Sequence, residues 1–209
     1  LDRFYASVYF TTAYRKMEGF SIADPVQELG STLQYMERLA DDVEEHRQQP
    51  GRLLDVGSAY GGFLLEMRSR GWEAAGLEPS HAAAEFCVRQ LGLAVQCADI
   101  RSAELPAGAF HVITLWDVLE HFADPVDAMR CVTELAAPGA LLMLTTPNAS
   151  SPAAVLTREN WIGWKSPTHL CLFNFQTIRR LLETSGWTLL RAHGGGIYPG
   201  QLTAIAEKQ

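Results

Sequence analysis

Several features that would place this chain in a particular class are missing from its sequence. There is no apolar run long enough to span a bilayer, no leader pattern, no internal repeat and no low-complexity tract. The four cysteines, at positions 87, 97, 131 and 171, form no C-x-x-C pair and lie in apolar or helical contexts. We therefore expect buried thiols rather than disulfides or zinc ligands, and a reducing, cytoplasmic setting without a membrane span.

A surplus of positive charge is also lacking. The chain has 17 Lys and Arg residues and 24 Asp and Glu residues, which gives a formal net charge of −7. The basic stripe that phosphate contacts require is therefore absent. This argues against a nucleic-acid partner and favours small molecules. The length of 209 residues, 47% of them hydrophobic, predicts one enzyme-sized unit over 51–209, preceded by an extension over 1–50. Because the chain begins at Leu1, residues upstream of it are expected. The oligomeric state is left open.

What the sequence does contain is a glycine turn between an apolar strand and a helix start. Residues 52–64 read RLLDVGSAYGGFL, with the pattern Asp55-x-Gly57-x-x-x-Gly61. Such turns leave backbone amides uncovered where a strand meets a helix, the place where open α/β sheets bind ligands. A dinucleotide fingerprint needs a second glycine where Ala59 stands, so a ligand smaller than a pyrophosphate is favoured.

Polar residues follow the next strands. Glu78 ends the strand 73–78, about 20 residues past the turn, where a carboxylate can accept hydrogen bonds from both hydroxyls of a ribose, as it also does in NAD enzymes. Asp99 and Ile100 follow a strand over 94–97. The fourth strand, 110–116, runs into the sequence DVLEHF and then a helix that Asp124 caps. A fifth, buried strand is expected over 140–147, after a helix stop at residues 138–139.

These segments resemble a known family. D-x-G-x-x-x-G after a first strand is similar to motif I of class I S-adenosylmethionine-dependent methyltransferases, and D-x-L-E-H resembles their ubiquinone-type and related small-molecule members. The resemblance covers about residues 50 to 209. It implies an α/β fold, a Rossmann-like doubly wound sheet of seven strands with the last strand antiparallel, here with an N-terminal helical extension. It also implies S-adenosylmethionine as cofactor and S-adenosylhomocysteine as product.

The resemblance assigns the cofactor to residues at the strand ends. Glu78 corresponds to the ribose-binding carboxylate and Asp99 to the residue that accepts a hydrogen bond from the adenine amino group. The full expected set is Asp55, Gly57, Ser58, Gly61, Glu78, Pro79, Asp99, Ile100, Trp116, Asp117 and His121.

The extension divides into an aromatic segment and a helix. Six aromatic residues between Phe4 and Phe20 suit either a lid over the cofactor pocket or core filler. The helix is opened by Asp24 and Pro25, and we expect its repeated apolar positions to pack on the domain: Val26, Leu29, Leu33, Met36, Leu39 or Ala40, and Val43.

A second unusual stretch, residues 152–170, follows the fifth strand and would lie over the carboxyl ends of the strands. Trp161, Trp164, His169 and Phe173 suit the wall of a pocket for a ring, sugar or other small acceptor, although an ordered covering loop has the same pattern. A helix capped by Asn174 then runs to 185, with Phe175 among its inward residues. Two strands with a hairpin-like return end the chain.

The expected reaction is methyl transfer to a small-molecule acceptor, with a hydroxyl favoured over an amine or carbon. A hydroxyl would benefit from a general base, for which His169 is the first candidate and His121 the second. Asp117, Glu120 and His121 would share a helix face if the helix started early, and some relatives hold a divalent ion at this spacing. We expect no metal here, because aspartate is shorter than the glutamate of those relatives. A nicotinamide-dependent oxidoreductase and a non-catalytic S-adenosylmethionine-binding domain remain as alternatives.

Overall fold

The structure, a computed structural model, describes residues 25–161, 163–164, 168–195 and 200–209. The aromatic segment Phe4 to Phe20 lies outside the described residues. The helices are α1 (Pro25–His46), α2 (Gly62–Ser69), α3 (His81–Leu91), α4 (Pro125–Leu135), α5 (Pro152–Thr157) and α6 (Phe175–Thr184). The strands are β1 (Arg52–Val56), β2 (Glu73–Leu77), β3 (Ala94–Gln96), β4 (Phe110–Trp116), β5 (Ala136–Pro147), β6 (Trp187–Gly194) and β7 (Gln201–Lys208).

The described residues up to Glu104 form one compact unit. Its strands β1, β2 and β3 are parallel neighbours, with Leu54 opposite Ala75 and Gly76 opposite Val95. Parallel strands need crossover helices, and α2 and α3 supply them. The loop after β1 and the loop after β2 therefore leave the sheet at the same edge, which is the edge where ligands bind in such folds.

The described residues from Leu105 form the second unit. Strand β4 pairs in parallel with β5, and β5 pairs with β7 in antiparallel register, with Met143 opposite Ile205. Strand β6 adds to β7 as an antiparallel edge strand. The carboxyl ends of β4 and β5 lie beside the amino end of β7, because Pro147 stands opposite Gln201. Residues from three separate stretches of sequence meet at this edge.

The strand order is β3-β2-β1-β4-β5-β7-β6 in one seven-stranded sheet. This order, with β7 antiparallel to its neighbours, confirms the fold class expected from the resemblance. The helix caps are also confirmed. Asp124 accepts the N–H groups of Val126 and Asp127, and Asn174 forms a reciprocal capping box with Thr177. The division at residue 50 stays a prediction.

Helix α1 differs from its expected packing. Leu39, Ala40 and Val43 are buried as predicted, but Val26 and Leu33 are 64% and 51% exposed. Arg70, directly after α2, forms ion pairs with the carboxylates of Asp41 and Glu44 in the second half of α1. An apolar period shows which face is available for packing and does not show how far along that face the domain extends.

Three further expectations were wrong in detail, and the stretch after β5 contains α5 and a 3-10 turn (Arg158–Asn160). Strand β5 begins at Ala136, so Pro138 and Gly139 lie inside the strand rather than ending α4. The Cys97 side chain is exposed rather than buried, and Phe175 is 39% exposed. Within the described ranges, no helix is both long and apolar enough to cross a membrane.

Candidate functional site

The glycine turn follows β1 in a left-handed backbone conformation. Gly57, Ala59 and Gly61 have φ angles of 77°, 47° and 78°. Glycine adopts this region freely, whereas alanine is strained there, and such strain is typical of functional loops. At Gly61 a Cβ would also lie 2.5 Å from the Leu93 side chain. The turn therefore has a defined shape that larger residues at 61 would disturb.

Glu78 is a buried carboxylate of the first unit. It stands directly after β2 and is 4% exposed. Its Oε2 accepts the N–H of Ala59 at 2.9 Å, and its Oε1 accepts the N–H of Ser80 at 2.7 Å. Burial raises the pKa of Glu78 to about 7, because the two backbone donors, which favour the charged form, only partly offset desolvation. Each oxygen keeps further acceptor capacity for a ligand hydroxyl.

The other expected cofactor residues of this unit lie around that turn. Ser58 is 5% exposed, and its hydroxyl has no hydrogen-bond partner among the described residues. A buried hydroxyl without a partner suits a position that a polar ligand completes. Asp55 is 3% exposed and Ile100 4%. The Asp99 carboxylate already accepts the N–H and Nε–H groups of Arg101 at 2.9 and 2.7 Å, so an adenine amino group would share it.

In the second unit, Asp117 follows β4 with a left-handed φ of 54°. Its N–H donates to both the carbonyl and the hydroxyl of Thr145 at 3.0 Å. Its carboxylate accepts the Gln201 side-chain amide, with Nε2 at 2.7 and 2.6 Å from the two oxygens. Gln201 is 1% exposed, and no sequence pattern pointed to it, because the two residues are 84 positions apart. The cofactor roles expected for Trp116, Asp117 and His121 stay predictions.

Asp117, Glu120 and His121 do not share a helix face. Residues Leu119–His121 form a single 3-10 turn, because α4 begins only at Pro125. Glu120 is 1% exposed, and its Oε2 accepts the Thr146 hydroxyl at 2.9 Å. Its backbone carbonyl accepts the N–H groups of residues 170 and 171 at 2.8 and 3.1 Å. The turn after β4 is thereby fastened to the segment that carries His169.

Two histidine rings meet beside this turn. The centroids of His121 and His169 are 5.0 Å apart, with the rings inclined at 74°. His121 Nδ1 lies 2.9 Å from the carbonyl oxygen of Thr168, and His169 Nδ1 lies 2.8 Å from that of Gly163. A carbonyl oxygen only accepts, so each Nδ1 carries a hydrogen that it donates to its carbonyl.

The same residues have the composition of a metal site. Glu120, His121 and His169 each offer one ligand atom, and these atoms lie within 4.8 Å of one another. Asp117 does not belong to this set. The set that could hold a divalent ion therefore includes a histidine from the later loop instead of the aspartate that the spacing suggested.

The expected acceptor wall has one buried and one exposed indole. Trp161 is 4% and Trp164 59% exposed, and their rings meet edge to face with centroids 6.3 Å apart. They line a cavity of about 450 Å³, within the size range of small-molecule pockets. Its remaining lining residues are Ala149, Ala154, Arg158 and Glu159. Phe173 is buried and forms an isolated β-bridge with Asn148, so it packs at the edge of the sheet.

Comparison with known proteins places these features in a family. Residues 30–192 match the family described as methyltransferase domain. The chain is 34% identical over 123 residues to a ubiquinone biosynthesis O-methyltransferase of Methylococcus capsulatus, a match covering 54% of this chain and 51% of that protein. The chain thus spans about half the length of the curated relatives it matches.

Solved structures share the fold at low identity. Magnesium protoporphyrin IX methyltransferase from Synechocystis PCC 6803, solved with bound S-adenosylhomocysteine, matches all of this chain and 98% of its own with a TM-score of 0.72 and 15% identity. The [4+2]-cyclase SpnF matches 82% of this chain and 80% of its own with a TM-score of 0.66 and 19% identity. One fold therefore serves proteins described by different reactions.

Proposed function

The chain belongs to the family of methyltransferase domains, and from this we propose that it transfers a methyl group from S-adenosylmethionine to a hydroxyl oxygen of a small molecule. Family membership supports methyl transfer. The names of the curated relatives support oxygen as the acceptor atom. The ligand of a structural neighbour, S-adenosylhomocysteine, is the product that S-adenosylmethionine leaves after methyl transfer.

The observation that carries the cofactor assignment is the hydrogen bond from the Ala59 amide to Glu78. A dinucleotide turn keeps the amide at this position free and glycine-lined so that a pyrophosphate can approach. Here that amide donates to the protein's own carboxylate, and a methyl group stands beside it. The turn therefore suits a nucleoside without a pyrophosphate, whose ribose hydroxyls donate to Glu78.

The acceptor side of the proposal rests on His169. S-adenosylmethionine supplies an activated methyl group when bound, so the protein must orient the acceptor oxygen, exclude water and take its proton. His169 is the first candidate for that proton, because an imidazole can take a proton near neutral pH and the contact of its Nδ1 with the Gly163 carbonyl orients the ring. His121 is oriented in the same way by the Thr168 carbonyl and is the second candidate. The two indoles of the cavity supply flat apolar surface for an acceptor.

Two experiments test the proposal. Calorimetric titration with S-adenosylmethionine, S-adenosylhomocysteine and NAD should show binding of the first two, and tight binding of NAD would point to an oxidoreductase instead. Transfer of a labelled methyl group should then be screened against phenols, sugars and other hydroxyl compounds, with amines as the contrast. Cofactor binding without transfer to any acceptor class would favour a non-catalytic binding domain. This alternative is worth testing because one fold can serve different functions.

A further inference from the structure

The cavity beside the two indoles has charged residues in its lining that the proposed function does not use. Arg158 and Glu159 line it together with Trp161 and Trp164. We propose that this cavity binds hydroxylated aromatic acids, with the acid group on Arg158 and the hydroxyl on Glu159. The inference rests on the proposed function in taking the cavity as the acceptor side, and it adds the chemical class of the acceptor.

A buried donor in the wall of the cavity lacks an acceptor. Trp161 is 4% exposed, and its Nε1–H forms no hydrogen bond with any residue that the structure describes. An indole nitrogen only donates, so the group that completes it must bring an acceptor atom, such as a carboxylate oxygen. A buried donor without a partner is costly, and a ligand oxygen would remove that cost.

Arg158 has a backbone conformation that arginine rarely adopts. It ends α5 with φ 48° and ψ −118°, close to the first central residue of a type II′ turn, where glycine is preferred. Strained residues of this kind cluster at ligand sites. The side chain is exposed and makes no ion pair with the described part of the chain. A guanidinium can bind a carboxylate through two parallel hydrogen bonds, so Arg158 is suited to a ligand acid.

One acid group can reach both donors. The N–H of Trp161 donates to the carbonyl of Arg158 at 3.0 Å, which places the two residues at the ends of one turn. The Cα atoms at the ends of such a turn lie within about 7 Å of each other. An acid group in the cavity can therefore accept from the guanidinium and from the indole together.

The indoles determine the shape of the ligand. The rings of Trp161 and Trp164 meet at 88° with centroids 6.3 Å apart, so they form a corner of flat apolar surface against which a planar ring can pack. An apolar cavity of about 150 Å³ holds one benzene ring. The volume of about 450 Å³ therefore leaves room for two fused rings and their substituents.

A cationic ligand would fit this lining less well. Indole faces and the Glu159 carboxylate both attract positive charge. A cation would nevertheless meet the like charge of Arg158, and it would leave the Trp161 N–H without an acceptor. A hydroxylated acid satisfies all three groups, because its acid oxygens accept from Arg158 and the indole while its hydroxyl donates to Glu159.

The test is calorimetric titration of the full chain, saturated with S-adenosylhomocysteine, with three naphthalene probes. These are a hydroxynaphthoic acid, its neutral amide, and naphthylmethylamine as the cation. The wild type should bind the acid about five- to tenfold more tightly than the amide at low salt, and less so as salt screens the exposed pair. In Arg158→Gln the difference should fall below about twofold, with the Kd of the amide unchanged.

Three variants control for indirect effects. Arg180→Gln removes the same charge from an exposed position on α6 and should keep the wild-type preference. Trp161→Phe removes the buried donor and should weaken the acid and the amide alike, by about three- to tenfold. Arg158→Gly should lose the preference for the acid without a lower melting temperature, because glycine adopts this φ without strain.

Equal affinity for acid and amide in the wild type would overturn the proposal, as would tighter binding of the amine or no binding of any probe. A preference for the acid that survives in Arg158→Gln, or that Arg180→Gln also abolishes, would overturn it as well. If the acid binds through Arg158 and no compound is methylated, the proposed function fails while the ligand class of the cavity stands. If neutral phenols are methylated equally well by the wild type and Arg158→Gln, the proposed function stands and the ligand class fails.

Discussion

Replacing Glu78 by Gln should weaken S-adenosylhomocysteine binding and remove its dependence on pH. The carboxylate is 4% exposed and accepts two backbone N–H groups, and we assign its remaining acceptor capacity to the ribose hydroxyls. Glutamine keeps the size but has one acceptor oxygen, and its NH₂ group would face a backbone N–H. Loss of a charge-assisted, two-point contact costs on the order of 1.5 to 3 kcal/mol, about tenfold to a hundredfold in Kd.

The pH dependence follows from the raised pKa. With a pKa of about 7 in the free protein, roughly a tenth of the Glu78 carboxyls are ionised at pH 6 and nine tenths at pH 8. The ribose hydroxyls bind the ionised form better, so the wild-type Kd should fall about tenfold between these pH values. The Glu78→Gln protein cannot ionise at this position and should show little change over the same range.

Stability should move in the opposite direction. Burial raises the folded-state pKa of Glu78 from an ordinary 4.5 to about 7, so the folded protein binds more protons than the unfolded chain between these values. The free energy of unfolding must therefore fall as pH rises through that window, by up to roughly 3 kcal/mol from this one group. Ionisation of this one carboxyl would thus both strengthen S-adenosylhomocysteine binding and lower the free energy of unfolding as the pH rises.

Calorimetry at pH 6, 7 and 8 and urea unfolding from pH 4.5 to 8 measure the two slopes. The difference between the wild type and Glu78→Gln isolates Glu78 from the other groups that titrate. A wild-type Kd that does not change between pH 6 and 8, or a Gln variant that keeps the wild-type Kd at pH 8, would refute the ribose assignment. Equal stability slopes in the two proteins would refute the raised pKa.

Three further outcomes are expected. His169→Ala should lower the rate of methyl transfer by roughly 10²- to 10⁴-fold with S-adenosylhomocysteine affinity almost unchanged, and parallel loss of affinity and thermal stability would make it a structural residue. Chelation should leave turnover intact, because the proposed proton transfer to a histidine needs no ion, and recovery of a chelated enzyme by Mg²⁺ or Mn²⁺ would contradict this. Thr146→Val should destabilise the protein by about 1 to 3 kcal/mol, since it deprives the buried Glu120 carboxylate of a hydroxyl donor, and urea unfolding with no loss would show that the bond contributes little.

The elements that local pattern determines could be predicted from the sequence. Strand β4 has its predicted bounds, and Asp124 and Asn174 cap their helices as predicted. Glu78 stands directly after β2, one residue beyond the end of the strand rather than at its last position. Its approximate place could be predicted because an apolar run followed by a carboxylate is a local signal. Prediction failed where contacts with residues distant in sequence determine the burial of a side chain. The exposure of Val26 depends on how far the domain reaches beneath α1, which no periodicity records.

The candidate site shows the same division at finer scale. The motifs identify the residue types of the site. The hydrogen-bond partners and orientation of each side chain depend on contacts with residues distant in sequence. Asp117 was grouped with Glu120 by spacing, yet its carboxylate is held by Gln201 from the last strand. The sequence predicts His169 as a base but does not predict how its ring is held. Its Nδ1 lies 2.8 Å from the carbonyl oxygen of Gly163, six residues earlier, and a Cβ at residue 163 would lie 2.5 Å from the Trp161 ring. A motif can therefore identify the candidate base, whereas the orientation of its ring depends on loop contacts that the motif does not describe.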